Sequence, residues 1–324
     1  RANINLRTAE RVLLKVGQFN AVTFTELFDQ TKELPWEEFI PADGKFWVTK
    51  ANSVNSKLFS SSDIQSIVKK AIVERLKLKY RINWFKEDGE SYPIRVTILK
   101  DVVTIALDTT GNSLHKRGYR PEAGKAPISE CLAAALIKLT PWNKDRILID
   151  PFCGSGTILI EAALKALKIA PGINRRFAAE KWECIDKEIW REERSRAIDL
   201  VDRNAKFEGI GCDIDDLAVA LTLDNAKKAG IKSRLKVEQA DITSFKQPQG
   251  SIVICNPPYG ERMLELREAE DIYRKMGKVL LKGGGSSSYI ISPHEEFQKF
   301  FGKNAVKRRK LYNGMIKCQL YMYF

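Results

Sequence analysis

The stretch RILIDPFCGSGTILIEAALKAL, residues 146–167, decides the fold. Ile147 to Ile149 form a short apolar run with no polar alternation, the pattern of a strand buried on both faces. Asp150 ends it. Gly154 and Gly156 follow, and from Thr157 onward alanines and aliphatics continue at helical spacing. Strand, glycine turn, helix is the opening of a βαβ unit. The glycines let a ligand approach the backbone, and the helix start around Ser155, Gly156 and Thr157 offers unpaired N–H donors. A dinucleotide fingerprint would place a third glycine where Leu159 stands. Asp150 would also repel a pyrophosphate, whereas it could receive a ligand's ammonium group.

Working outward, the same grammar repeats. ISECLAAALIKL, before the stretch, is helical. After it comes a charged helical insertion, from about Glu180 to Arg203, then the strand FEGIGCDID and the helix LAVALTLDNAKKAG, which stops at Gly230. LKVEQAD and SIVICNPP are two more strands. Alternation of this kind implies a doubly wound, mostly parallel sheet. The tail, RRKLYNGMIKCQLYMYF, predicts an antiparallel hairpin with a type I′ turn at Asn313-Gly314.

Each strand carries a polar group at its C-terminal end, where ligands bind in this architecture. Asp213 ends the second and can hold both hydroxyls of a ribose. Asp241 ends the third and can accept from an adenine amino group, with Ile214 and Ile242 placed to sandwich the ring. Singly, each aspartate fits a helix cap or turn equally well, and a lone Gly-x-Gly is a weak signal. As an ordered set they suit an amino acid, a ribose and an adenine, which together make S-adenosylmethionine (SAM).

The fourth strand end reads Asn256-Pro257-Pro258-Tyr259. Asn256 and the Pro257 carbonyl can accept the two hydrogen bonds of an exocyclic amino group. Such amines are poor nucleophiles because the lone pair is delocalised into the ring; two acceptors on its N–H bonds favour a pyramidal nitrogen with that pair available. Tyr259 offers a ring face for a flipped-out base, with its hydroxyl dispensable. The prolines fix φ and remove competing donors. Read alone, the segment is also an ordinary proline-rich turn.

The chain has 324 residues and a net charge of +13, which favours two domains and a polyanionic partner, most simply nucleic acid, over a merely solvated basic surface. No apolar run is long enough to cross a bilayer and no secretory leader is legible. The chain opens at Arg1 rather than Met, which leaves room for residues upstream. The six cysteines lack metal-ligand spacing and there are two histidines, so no metal site is expected; free cysteines suit a reducing, cytoplasmic compartment.

The N-terminal third is α+β. Ser61, Ser62 and Asp63 offer a cap for a helix through Tyr80, whose stripe is Ile64, Ile67, Val68, Ala71, Ile72 and Leu76. YPIRVTIL and VVTIALDTT predict a hairpin turning at Lys100-Asp101. The boundaries expected are an N-terminal domain over 1–110, a basic linker over 111–126 and a second domain over 127–324. The tract Gly283 to Ser288 looks linker-like and receives no function.

DPFCGSG and NPPYGER resemble the class I SAM-dependent amino-methyltransferases. HKRGYR, residues 115–120, and the basic N-terminal segment look like the bacterial THUMP-domain enzymes that form N2-methylguanosine in large-subunit ribosomal RNA, often labelled N6-adenine-specific DNA methylases. The resemblance implies a Rossmann-like domain of strand order 3-2-1-4-5-7-6 beside a smaller α+β THUMP-type RNA-binding module, incomplete at its start. It implies SAM at Asp150, Phe152, Gly154, Gly156, Asp213 and Asp241, catalysis at Asn256, Pro257, Pro258 and Tyr259, and RNA contacts from Lys116, Arg117, Tyr119, Arg120 and Arg262. The insertion before GCDID departs from the family pattern. Two rivals remain: an adenine-N6 methyltransferase acting on DNA or RNA, and an RNA-binding protein whose methyltransferase domain is inactive.

Overall fold

The structure, a computed structural model, describes residues 1–120, 128–260, 263–282 and 286–324. In chain order its principal elements are α1 (Ala2–Asn5), β1 (Leu13–Asn20), α2 (Phe24–Glu33), β2 (Lys45–Val54), α3 (Ser61–Tyr80), β3 (Ser91–Leu99), β4 (Val102–Asp108), α4 (Glu130–Lys138), β5 (Leu148–Asp150), α5 (Thr157–Ala166) and α6 (Lys187–Asp199). There follow β6 (Gly209–Asp213), α7 (Asp216–Lys228), β7 (Leu235–Gln239), β8 (Ile252–Cys255), α8 (Met263–Leu280), β9 (Ser287–Ser292), α9 (Phe297–Phe301), β10 (Lys307–Asn313) and β11 (Ile316–Tyr323). They make two compact units.

The first unit comprises Arg1–Ile4, Glu10–Leu114 and Arg175–Arg196. Its four-stranded sheet has the order β1-β4-β3-β2, with β2 and β3 parallel and the other pairs antiparallel. α3 buries Ile64, Val68, Ala71, Ile72 and Leu76, as its periodicity predicts. The cap is Ser60, one residue earlier than expected: its side chain accepts from the Asp63 N–H, while Asp63 supplies first-turn negative charge. The β3–β4 turn falls at Lys100-Asp101, both at positive φ (51° and 65°), as a type I′ hairpin requires.

The inserted segment is where the structure departs from the expected boundaries. Arg175–Arg196 completes the first unit's core rather than extending the second. Trp182 is fully buried, stacks on Tyr92 with ring centroids 5.1 Å apart, and donates its indole N–H to the Ser91 carbonyl at 2.9 Å.

The second unit holds Asn5–Ala9, His115–Asn174 and Ala197–Phe324 around a seven-stranded sheet of order β10-β11-β9-β8-β5-β6-β7. β7, β6, β5, β8 and β9 are mutually parallel. β11 runs antiparallel to β9 and closes a hairpin with β10. Numbered within the unit, this is the 3-2-1-4-5-7-6 order implied by the resemblance. β5, β8 and β9 are buried throughout. Two local expectations change. The hairpin's paired residues run to Asn313 and Ile316, so its loop is Gly314-Met315; only Gly314 has positive φ (61°), the pattern of a II′ rather than a I′ turn. The tract from Gly283 is not all linker: Ser287 and Ser288 are buried residues opening β9, and Gly283 to Gly285 lie outside the described residues. Among the described residues, no helix is long and apolar enough to cross a membrane.

Trp182→Ala should therefore destabilise the first unit by about 3–5 kcal/mol, the range for deleting a fully buried aromatic. In a denaturant titration the second unit's transition should hold its midpoint; loss confined to the second unit would contradict this assignment of residues 175–196.

Candidate active site

β5 to β8 end on one edge because they are parallel neighbours. Their register sets Asp150 opposite Gly211, and Leu148 opposite both Gly209 and Ile252. The glycine turn follows β5. Gly154 and Gly156 adopt positive φ (52° and 75°), and Gly156 is the N-cap of α5, with no side chain capping that helix. A Cβ on Gly154 would meet nothing within 4 Å, whereas one on Gly156 would stand 2.7 Å from Thr222 Cγ2. Gly154 thus borders open space beside α5's uncapped start, and Gly156 is required by packing.

What holds the turn escaped the sequence reading. Thr222 and Asn225, fully buried on α7, donate to the Gly154 carbonyl (2.7 Å) and the Ser155 carbonyl (3.0 Å). Two polar residues inside an apolar helix stripe were the available signal. Ser155 and Thr157 share a hydroxyl hydrogen bond of 3.0 Å, and Phe152 is half-buried against the core.

Asp213 ends β6, partly exposed. Its Oδ2 accepts from the Gly154 N–H at 2.9 Å and its Oδ1 from the Asp215 N–H at 3.1 Å. The cap of α7 is Asp215, whose side chain accepts from the Leu217 N–H, so Asp213 is not the cap. Each carboxylate oxygen retains acceptor capacity for a diol. Asp241 lies past the end of β7 and does cap a short turn: the Thr243 N–H and hydroxyl both donate to its Oδ1, lowering its pKa. Ile214 is 68% exposed, but Ile242 is 4% exposed within the core, so the pair does not present two matching open faces.

Asp150 is 2% exposed, and burial is the main cause that pushes its pKa up to about 8, with Asp213 adding to the rise and the Phe152 N–H opposing it. It is thus largely protonated at neutral pH until a cation arrives. A raised carboxyl pKa means the fold holds its proton more tightly than the unfolded chain, so its contribution to stability is lost as pH rises from about 4 through about 8.

After β8, Asn256 is partly buried, Pro257 buried, Pro258 exposed and Tyr259 partly buried. The Tyr259 hydroxyl donates to Asn256 Oδ1 at 2.5 Å, and its ring packs against the second unit's core. The hydroxyl expected to be dispensable is therefore bonded to the carboxamide oxygen expected to accept from the target amine. Tyr273 on α8 fixes the segment from below, donating to the Pro258 carbonyl at 2.8 Å.

HKRGYR differs most from its expected role. Lys116 is exposed, but Arg117 and Tyr119 are buried and the Arg120 side chain is 8% exposed. Arg117 Nε pairs with the fully buried Glu161 of α5 at 3.3 Å, and the Tyr119 hydroxyl donates to the same carboxylate at 3.2 Å. Arg120 pairs with Glu130 at 3.1 Å and donates to Thr157 Oγ1 at 2.8 Å. These three residues brace α5 and are not surface groups for RNA. Arg7, within the same unit, adds to the brace by donating to the Leu164 carbonyl at 3.1 Å and to that of Ile169. Arg262 lies outside the described residues, and among these no cluster of three metal-ligating side chains occurs.

A doubly wound sheet of this order, with a glycine turn, acidic strand ends and Asn-Pro-Pro-Tyr on one edge, defines a methyltransferase. Residues 117–322 match the family described as RMKL-like, methyltransferase domain, and residues 21–108 match the THUMP domain. The chain belongs to that methyltransferase family. It is 44% identical over 327 residues to "Putative RNA methyltransferase YpsC" of Bacillus subtilis (strain 168), covering 100% of this chain and 85% of that one. "Ribosomal RNA large subunit methyltransferase K/L" of Photobacterium profundum is 35% identical over 98% of this chain; the chain spans about half of it, 46%. A crystal structure of SMU.472, described as a putative methyltransferase complexed with SAH, superposes with a TM-score of 0.92 at 39% identity, over 100% of this chain and 86% of that one.

Two outcomes are expected. Asp150→Asn removes the buried proton's linkage: it should melt higher than the unsubstituted protein at pH 8, by a margin that shrinks toward pH 4. A margin constant across that range in calorimetric scans would show Asp150 does not titrate as described. Arg117→Ala should cost about 3–5 kcal/mol in a denaturant titration, because it removes the partner of a buried carboxylate; a loss under about 1 kcal/mol, typical of an exposed pair, would refute the brace.

Proposed function

We propose that this protein is a SAM-dependent RNA methyltransferase that transfers a methyl group to the exocyclic N2 amine of a guanine, with large-subunit ribosomal RNA as substrate and the reducing cytoplasm as its setting. The observation that carries this reading is the convergence of the glycine turn, Asp213, Asp241 and Asn256–Tyr259 on adjacent ends of one parallel sheet. The donor set fits the cofactor: Asp150 for its ammonium, the open backbone at Gly154 and the start of α5 for its amino-acid part, Asp213 for its ribose hydroxyls and Asp241 for its adenine. When bound there, SAM supplies the electrophilic methyl.

The remaining work falls to the chain. Asn256 Oδ1 and the Pro257 carbonyl accept the two N–H bonds of the target amine and draw its lone pair out of conjugation. Tyr259 orients Asn256 and offers its partly exposed ring to the base. The proton released after transfer leaves through these acceptors to water; no buried base is required, since the methylated ammonium is a strong acid. The THUMP domain and the +13 charge support RNA as the polyanion.

Asn256→Ala should leave SAM affinity nearly unchanged in calorimetry and lower the methylation rate by about a hundredfold or more, the scale for one preorganised polar group. Mass spectrometry of nucleosides from treated ribosomal RNA should find N2-methylguanosine. N6-methyladenosine would replace the base assignment, and SAM binding without any methylated nucleoside would leave the inactive-domain rival standing.

A further inference from the structure

The hydroxyl of Tyr259 joins the Asn-Pro-Pro-Tyr segment to the C-terminal hairpin. It donates to Asn256 Oδ1 at 2.5 Å and accepts from Asn313 Nδ2 at 3.3 Å, with Cys318 Sγ 3.9 Å away. A phenol has one proton to give and lone pairs to receive. Because Asn313 and Cys318 approach it as donors, the proton is left for Asn256. We propose that Asn313 is a positioning residue that, through Tyr259, fixes which end of the Asn256 carboxamide faces the substrate, and so selects an amino-bearing base over one with a carbonyl at that position. The inference rests on the reading of Asn256 as the acceptor for the target amine.

The reasoning is steric and electrostatic. The two ends of a carboxamide are nearly the same shape, but one accepts and the other donates. If Asn256 flipped, its NH2 would meet the substrate's NH2, donor against donor. A hydroxyl donating to Oδ1 prevents this and still leaves that oxygen a lone pair for the amine. A phenol free to turn its proton elsewhere would not. Asn313 is well placed to stop that turning. β11 is antiparallel to β9, with Gln319 opposite Ser292, so the hairpin tip lies at the C-terminal end of the parallel strands. Asn313 is the last paired residue before the loop, opposite Ile316, which holds its backbone in place.

The test uses Asn313→Asp and Asn313→Ala in the full chain. An ionised aspartate has the same shape but accepts the phenol's proton, turning it away from Asn256; alanine only removes the donor. The expected order of turnover on ribosomal RNA is unsubstituted, then Ala, then Asp, with Asp about tenfold or more below the unsubstituted chain. RNA KM and SAM affinity should stay unchanged. In a Tyr259→Phe background, Asn313→Asp should cost nothing more, because the hydroxyl it acts through is gone. Full activity of Asn313→Asp, or a loss that persists in the Phe background, overturns the relay. Side-chain amide NMR without substrate gives a readout independent of turnover: the Asn256 Nδ2 resonances should shift in Asn313→Asp and Tyr259→Phe alike. Unshifted resonances overturn the relay even if the protein methylates nothing, whereas shifted resonances with no methylation would uphold the relay and refute the proposed reaction.

Discussion

Parallel strands cannot be joined by a tight turn; a crossover, usually a helix, must return the chain to the edge where it began. Everything at this site follows from that constraint. β5, β6, β7 and β8 all run one way, so all four discharge into loops on the same edge. The sequence between them has only to supply the right residue at each exit. The exits are then stiffened from behind. Thr222 and Asn225 hold the glycine turn, Gly154 and Asp213 tie the first exit to the second, and Tyr273 grips the Pro258 carbonyl of the fourth. The C-terminal hairpin adds to the same edge: β10 is antiparallel to β11, which is antiparallel to β9, so β10 runs with the parallel strands and ends at Asn313.

The parts of the fold legible in the sequence were those fixed by local period and punctuation. The run ending at Asp150, the helix from Thr157, the stripe of α3 and the turn at Lys100-Asp101 are each set by residues close in the chain. What was not legible depended on partners far away. HKRGYR is basic, irregular and glycine-containing, which is how an exposed loop looks. Its burial is decided by Glu161, 44 residues beyond Arg117, and the clue was a lone carboxylate inside the apolar run TILIEAALKAL. Likewise, nothing near Tyr259 announces that its hydroxyl serves Asn256, because the donor that settles the hydrogen-bond direction, Asn313, is 54 residues away.

The net charge carries more than one meaning. Arg117 and Arg120 spend their charge inside the second unit, on Glu161 and Glu130. Lys307, Arg308, Arg309 and Lys310 lie exposed along β10, the edge of the seven-stranded sheet. Cations on an edge strand discourage pairing with another chain. A basic total is therefore the sum of interior braces, edge protection and whatever surface remains for a polyanion, and the three cannot be separated by composition.

The burial of Trp182 has a consequence for how the molecule is made. The ribosome releases β3 long before it releases the tryptophan that covers Tyr92, because Ser91 and Trp182 are 91 residues apart. Between those moments the chain emits β5, the glycine turn and α5, which belong to the other unit. The N-terminal sheet must wait, its apolar face incomplete, while elements of the later unit emerge. Closing so distant a contact is entropically slow, and an exposed sheet face invites aggregation during the delay. Nascent chains cut before residue 182 would thus be the ones most dependent on chaperones, although they already contain every strand of the first sheet.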